Sequence, residues 1–277
     1  MLTTREVKTL LAARGLRLTK RLGQHHLVDE RLVHRLIEAV RLGPDDTVVE
    51  IGPGLGALTE FLLERAGRVI AVEVDRAIAE LLSQRLRGRR NLTVHCGDIL
   101  AFPWVLAAPA VVVGAIPYHI TSPILAALCE ARPYIRRAVL VVQEEVARRL
   151  AARAGTKAYG RLSILVQYGW EVSRLLPVPR GAFFPIPRVD SCAVELKRRE
   201  APAVAVADEP LFFAVVKAAF SQRRKTLVNC LTASPVLRLN RARAEAALRT
   251  TGLAPAVRGE TLTIAQFAAL ATRLAKK

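Results

Sequence analysis

The chain reads as an α/β protein, a mostly parallel sheet covered by helices on both faces, followed by a second, smaller domain. Three features lead there. Residues 47–75, TVVEIGPGLGALTEFLLERAGRVIAVEVD, give an apolar run too short for a helix, a glycine turn, apolar residues at helical spacing and a second apolar run. Strand-like and helix-like segments go on alternating as far as residue 142, the pattern of a parallel sheet with crossover helices. A chain of 277 residues with 52% hydrophobic content has enough apolar surface for one large domain plus a small one.

Residues 1–20 are basic, with Glu6 the only acid, and carry Val7, Leu10 and Leu11 as an amphipathic turn. They run without a cleavage-like site into Lys20-Arg21-Leu22-Gly23-Gln24-His25-His26-Leu27-Val28-Asp29, so they read as a basic arm of the folded protein and not as a transit peptide. A helix over 30–39 follows. The polar GQHH cluster just before it reads either as a lid over a ligand or as two surface histidines.

The first strand ends at the turn Gly52-Pro53-Gly54-Leu55-Gly56, the helix carries Leu58, Phe61 and Leu62, and the second strand ends in Glu73. This is the first half of a nucleotide-binding βαβ unit. Gly52, Gly54 and Ala57 also fit the dinucleotide fingerprint, with Glu73 where a ribose-binding acid belongs. Charge favours another ligand. NAD brings a pyrophosphate to the turn, whereas S-adenosylmethionine brings a sulfonium, an ammonium and no phosphate. Glu50 precedes the turn, and Asp98 in CGDIL follows the strand at 92–94. Acids at three successive strand ends suit a cationic adenosyl ligand, with Glu50 near its methionine end, Glu73 on the ribose hydroxyls and Asp98 near the adenine amine.

Beyond Glu73 the pattern predicts helices over 77–86 and 124–129 and strands over 92–94, 110–113 and 138–142. After the strand at 110–113 comes Gly114-Ala115-Ile116-Pro117-Tyr118-His119-Ile120-Thr121-Ser122-Pro123. Pro117 holds Ile116 extended and has no N–H to donate, so carbonyl acceptors and the Tyr118 ring project at the strand end. Acceptors beside an aromatic face are what a planar exocyclic amine requires. A helix over 143–152, strands over 170–176 and 193–197, a linker over 201–208 and helical periodicity from Glu209 complete the chain.

EIGPGLGALT, VEVD, GDIL, IPYHITSP, QEEVARRLAARAGTKAYGRLS, FFPIPRVDS and AFSQRRKTLVN, in that order and across nearly the whole chain, resemble the ribosomal RNA adenine N6-dimethyltransferases. The similarity is strongest to the bacterial branch that dimethylates two adjacent adenosines in the 3′-terminal hairpin of 16S rRNA. The resemblance implies a Rossmann-like, S-adenosylmethionine-dependent methyltransferase domain over 1–200 and a small all-α RNA-binding domain over 201–277. It places His25 and Leu27 at a cofactor lid, Gly52 at the methionine end, Glu73 on the ribose and Asp98 at the adenine; Glu50, Gly54 and Ala115 complete the expected cofactor contacts. It makes Tyr118 and Phe183 the two aromatics that hold the target base, Phe183 standing in an F-x-P-x-P pattern with Pro185 and Pro187, and base flipping into that sandwich exposes the amine; Ala115, Ile116 and Pro117 complete the expected catalytic group. The sequence departs in two respects. The family motif reads Asn-Leu/Ile-Pro-Tyr, and Ala115 stands where the asparagine would contact both donor and target amine. Alanine leaves only the Ile116 carbonyl as acceptor. A second departure is His26, where the family has phenylalanine.

Charge fits an RNA substrate. With 42 Lys+Arg against 24 Asp+Glu the net charge is +18, an excess that favours a polyanionic partner through phosphate neutralisation. Lys157, Arg161 and Arg188 sit in basic loops, and Arg223, Arg224 and Lys225 follow one another ahead of a C-terminal helix. The expected partner is 16S rRNA in the small ribosomal subunit, with the protein acting as a cytoplasmic monomer without metal. No apolar run approaches the roughly 18 residues a membrane helix needs. Cys96, Cys129, Cys192 and Cys230 lack CxxC spacing and read as buried thiols in a reducing compartment. Two other readings stay open: a ribosome-assembly factor that binds the same RNA and cofactor but transfers methyl groups weakly, which Ala115 permits, and a 23S rRNA adenine N6-methylase.

Overall fold

A computed structural model describes residues 1–16, 25–222 and 224–275. In chain order the first part holds α1 (Thr4–Ala12), β1 (His26–Leu27), α2 (Glu30–Val40), β2 (Thr47–Ile51), α3 (Thr59–Leu63), β3 (Arg68–Glu73), α4 (Arg76–Arg85) and β4 (Leu92–Cys96). There follow β5 (Ala110–Ala115), α5 (Thr121–Glu130), β6 (Ile135–Gln143), α6 (Glu144–Leu150), α7 (Arg161–Gly169), β7 (Trp170–Val178), β8 (Phe183–Phe184) and β9 (Ser191–Arg198). The last helices are α8 (Glu209–Ala219), α9 (Leu227–Thr232), α10 (Arg241–Thr250) and α11 (Ile264–Ala275).

Seven strands make one Rossmann-like sheet in the order β4-β3-β2-β5-β6-β9-β7. Strands β2 to β6 pair in parallel, and β9 runs antiparallel to β6. The central strands read Val-Val-Glu-Ile and Ala-Val-Val-Val because they are covered on both faces, and apart from Thr47 and Ala115 all residues of β2 and β5 are buried. Gly114 lies opposite Ile51, and a Cβ there would stand 2.6 Å from the Ile51 carbonyl oxygen, so only glycine lets β2 and β5 run side by side at that point. The chain leaves β2 for β3 on one side and returns to β5 on the other. That reversal opens the crevice at the carboxyl ends of β2 and β5 where such sheets bind ligands.

Outside the sheet, β1 and β8 form a two-stranded antiparallel ribbon with Leu27 opposite Phe183. Of the expected basic arm, residues 4–12 are α1, whose Val7 and Leu11 are buried with Leu55, Ile78 and Leu81; residues 17–24 lie outside the described residues. Gln143 still belongs to β6, opposite Ser191, so α6 starts one residue later than the helix expected over 143–152 and ends at Leu150. Cys192 and Cys230 are buried thiols, but Cys129 is only partly covered and Cys96 is exposed, because β4 is an edge strand.

The chain makes two compact units, Met1–Ala147 with Glu171–Arg198, and Arg148–Trp170 with Arg199–Lys277. The second has its own core, in which Ile164 and Tyr168 of α7 join Phe212, Leu227, Leu231, Leu248 and Phe267.

Candidate active site

A cavity of about 270 Å³ lies at the carboxyl ends of β2, β3 and β5. It gathers Glu50, Gly52, Gly54, Glu73, Asp98, Ala115 and Pro117 from the sheet side, and His25, His26 and Leu27 from β1 and the residue before it. Ile116, Tyr118 and Phe183 stand outside this wall.

The three acids differ in environment. Glu50 is 1% exposed, and its Oε2 accepts a 2.7 Å hydrogen bond from the Thr59 hydroxyl. Burial pushes its carboxyl up to about 8; the Thr59 bond opposes the shift and the charge of Glu73 adds to it. Glu73 is 5% exposed and accepts from the Gly54 N–H at 3.1 Å and the Asp75 N–H at 3.0 Å. Burial raises its carboxyl too, against the pull of those backbone donors. Asp98 is exposed at the rim, where it accepts from the Leu100 N–H at 2.9 Å at the start of a short 3₁₀ turn, Ile99–Ala101. Gly52 has φ 64°, which disfavours any side chain, and among the described residues no atom lies within 4 Å of where its Cβ would stand. The turn is braced from behind by Arg85, which donates to the Leu55 carbonyl and pairs with Glu60.

The other wall comes from the end of β5. Ala115 is half-buried opposite Val141, and the Ile116 N–H donates to the Val141 carbonyl at 3.0 Å. The Pro117 carbonyl accepts from the Ile120 N–H and from the Thr121 hydroxyl, each at 3.2 Å. The Tyr118 hydroxyl is bonded to the Ser191 hydroxyl at 2.8 Å, which fixes the ring, and burial raises its phenol. Phe183 is 3% exposed and belongs to the main core with Leu27 and Val178. What joins Tyr118 to Phe183 is His25. Its ring stacks on Tyr118 with centroids 5.6 Å apart and meets Phe183 edge-on at 6.4 Å, while its Nδ1–H donates to the Pro185 carbonyl at 2.7 Å.

Two contributors went unnoticed in the sequence. Thr59 has no motif of its own, and Ser191 closes the FFPIPRVDS segment and could have been found there. Of the two histidines of the GQHH cluster, His26 is not a surface residue: it is 6% exposed, and its Nε2 has no hydrogen-bond partner among the described residues. Among the basic candidates, Arg188 is exposed in the first unit, and Lys157, Arg161, Arg224 and Lys225 are exposed in the second. Arg223 lies outside the described residues.

The donor set suits a cationic ligand. A pyrophosphate at the turn would face two buried carboxyls, whereas a sulfonium or ammonium would be neutralised by them.

The family model for ribosomal RNA adenine dimethylases matches residues 15–276. The chain is 43% identical to a ribosomal RNA small subunit methyltransferase A of Moorella thermoacetica, a match that covers 96% of this chain and 95% of that one. Among solved structures it is similar to a dimethyladenosine transferase from Plasmodium falciparum, with TM-score 0.74 and 28% identity over 89% of this chain and 96% of that one. It is also similar to the 23S rRNA methyltransferase ErmE, with TM-score 0.68 and 33% identity over 91% and 100% of the two chains.

Proposed function

Because the chain belongs to the ribosomal RNA adenine dimethylase family, and so is an S-adenosylmethionine-dependent rRNA adenine dimethyltransferase, we propose that its target is a pair of adjacent adenosines in the 3′-terminal hairpin of 16S rRNA in the small subunit. The observation that carries the reading is the meeting, in one cavity, of the glycine turn, the three strand-end acids, Ala115 and Pro117.

S-adenosylmethionine supplies an electrophilic methyl group. Glu50 and Glu73 are the carboxyls that would hold its charged and ribose ends, Asp98 the acceptor at its adenine, and Gly52 and Gly54 the backbone that lets it lie close to β2. Leu27 and His25 close the cavity from the β1 side. The target adenine, flipped from its stack, would lie against Tyr118. The Pro117 carbonyl is already engaged by Ile120 and Thr121, so the Ile116 carbonyl is the acceptor assigned to the exocyclic N–H. Holding that N–H while an aromatic face supports the ring lets nitrogen electron density localise for attack. Lys157, Arg161, Arg188, Arg224 and Lys225 would contact phosphates, which position the RNA without reading its sequence.

Ala115 supports a second reading. Without a side-chain acceptor at the end of β5 the protein would bind RNA and donor yet transfer slowly, as an assembly factor does. Incubation of the protein with tritiated donor and undermethylated small subunits, followed by mapping of the label, separates the two. Label at two adjacent adenosines of the hairpin supports the first reading; binding without label supports the second; label only in 23S rRNA overturns the choice of substrate.

A further inference from the structure

His26 poses a problem of its own. It is 6% exposed, and its Nε2 has no hydrogen-bond partner among the described residues. A buried polar atom left without a partner costs free energy that phenylalanine, the residue expected here from the resemblance, would not incur. The imidazole is also neutral at physiological pH, because burial, helped by the positive charge of Arg85, lowers it to about 4. It can therefore both donate and accept a hydrogen bond without carrying charge.

Its position says what it faces. His26 forms part of the cavity wall; its Nε2 has almost no exposed surface, so the nitrogen turned to the cavity is Nδ1, which lies 3.7 Å from where a Cβ on Gly54 would stand. The Gly54 N–H is the group that donates to Glu73. His26 thus flanks the segment of the turn that holds the carboxylate assigned to the ribose. Across the same cavity Ala115 has no polar side chain, so the wall is poorer by an amide and richer by an imidazole than the family pattern predicts.

We propose that His26 is a recognition residue for the methyl donor, its Nδ1 hydrogen-bonding the ribose edge of the adenosyl group beside Glu73. The inference rests on the reading of this cavity as the donor site. The nucleoside part of the donor is the portion shared by the substrate and the spent product, so His26 acts on the binding of both and takes no part in the transfer step.

The test is calorimetric titration of S-adenosylhomocysteine into the full chain and into His26→Phe, with thermal unfolding of both measured in parallel. The variant is expected to unfold at an equal or higher temperature, since the partnerless polar atom is gone, and to bind roughly 3- to 10-fold more weakly, the value of one neutral hydrogen bond. His26→Gln should recover part of the affinity. With an analogue lacking the ribose 2′- and 3′-hydroxyls, wild type and His26→Phe should bind alike. Equal affinity of both proteins for the intact ligand would overturn the role of His26 while leaving the donor site standing. Absence of binding to either protein would overturn the donor site and this inference together. A His26→Phe chain that loses both stability and affinity, with His26→Gln no better, would make the imidazole a packing element and sink the proposal.

Discussion

The hydroxyl of Thr59 donates a 2.7 Å hydrogen bond to a Glu50 carboxyl that is 1% exposed, and this is the main polar support for a carboxyl pushed up to about 8. In the free protein at neutral pH Glu50 is therefore protonated. A sulfonium or ammonium beside it favours the carboxylate. Donor binding at pH 7 should release up to about one proton, and affinity should rise between pH 6.5 and 8.5. Calorimetry in two buffers of different ionisation enthalpy reads the proton directly; no buffer dependence would refute the assignment of Glu50 to the charged end.

The same group sets a slope in stability. Its folded-state value lies above the ordinary 4.5 of a glutamate, so between about 4.5 and 8 the folded protein holds a proton that the unfolded chain releases. Stability attributable to Glu50 is thus complete below about 4.5 and declines as pH rises to about 8. Glu50→Gln should remove a decline of the order of a few kcal/mol, leaving the variant more stable than wild type at pH 8.5. Chemical denaturation of both proteins at pH 5 and 8.5 measures it, and parallel curves would count against it.

Glu73→Ala should weaken donor binding by on the order of 1.5–3 kcal/mol, the range for hydrogen bonds involving a charged group. The variant also loses the acceptor for the Gly54 and Asp75 N–H groups, so circular dichroism must first show an unchanged fold. A folded variant with wild-type affinity would displace the ribose from Glu73.

Ala115→Asn should raise methyl transfer at least about tenfold at saturating donor, a cautious share of the roughly 10²–10³-fold that one preorganised catalytic hydrogen bond contributes. RNA affinity should stay nearly constant, since phosphates supply most of it. Single-turnover rates on the same undermethylated subunits decide: equal and brisk rates would show that the Ile116 carbonyl and Tyr118 suffice, and equal rates near background would favour the assembly-factor reading.

Affinity for small-subunit RNA should fall steeply with salt, as expected of a chain with net charge +18. Replacing Arg224 and Lys225, both exposed ahead of α9, by glutamine should lower the slope of log K against log salt by about 2. A flat plot for wild type, or an unchanged slope in the variant, would remove these residues from the interface.

The sequence by itself determined the βαβ core, because strand, glycine turn and helix are set by residues close along the chain, and parallel strands buried on both faces leave uninterrupted apolar runs such as Val111–Val113. It determined the acids at the strand ends and the aromatic at position 118 for the same local reason. Only the tertiary structure decided that burial raises the Glu50 carboxyl to about 8 while Asp98 stays exposed, since desolvation depends on what closes over a carboxyl. It decided, too, that Arg148–Trp170 joins the C-terminal helices in one unit, and that β9 inserts between β6 and β7. The meeting of His25 with Tyr118 and Phe183 brings together residues that no periodicity relates, through a β1–β8 ribbon only two residues long. In such short pairings the local sequence carries almost no signal, and packing against a core assembled from distant segments fixes the register.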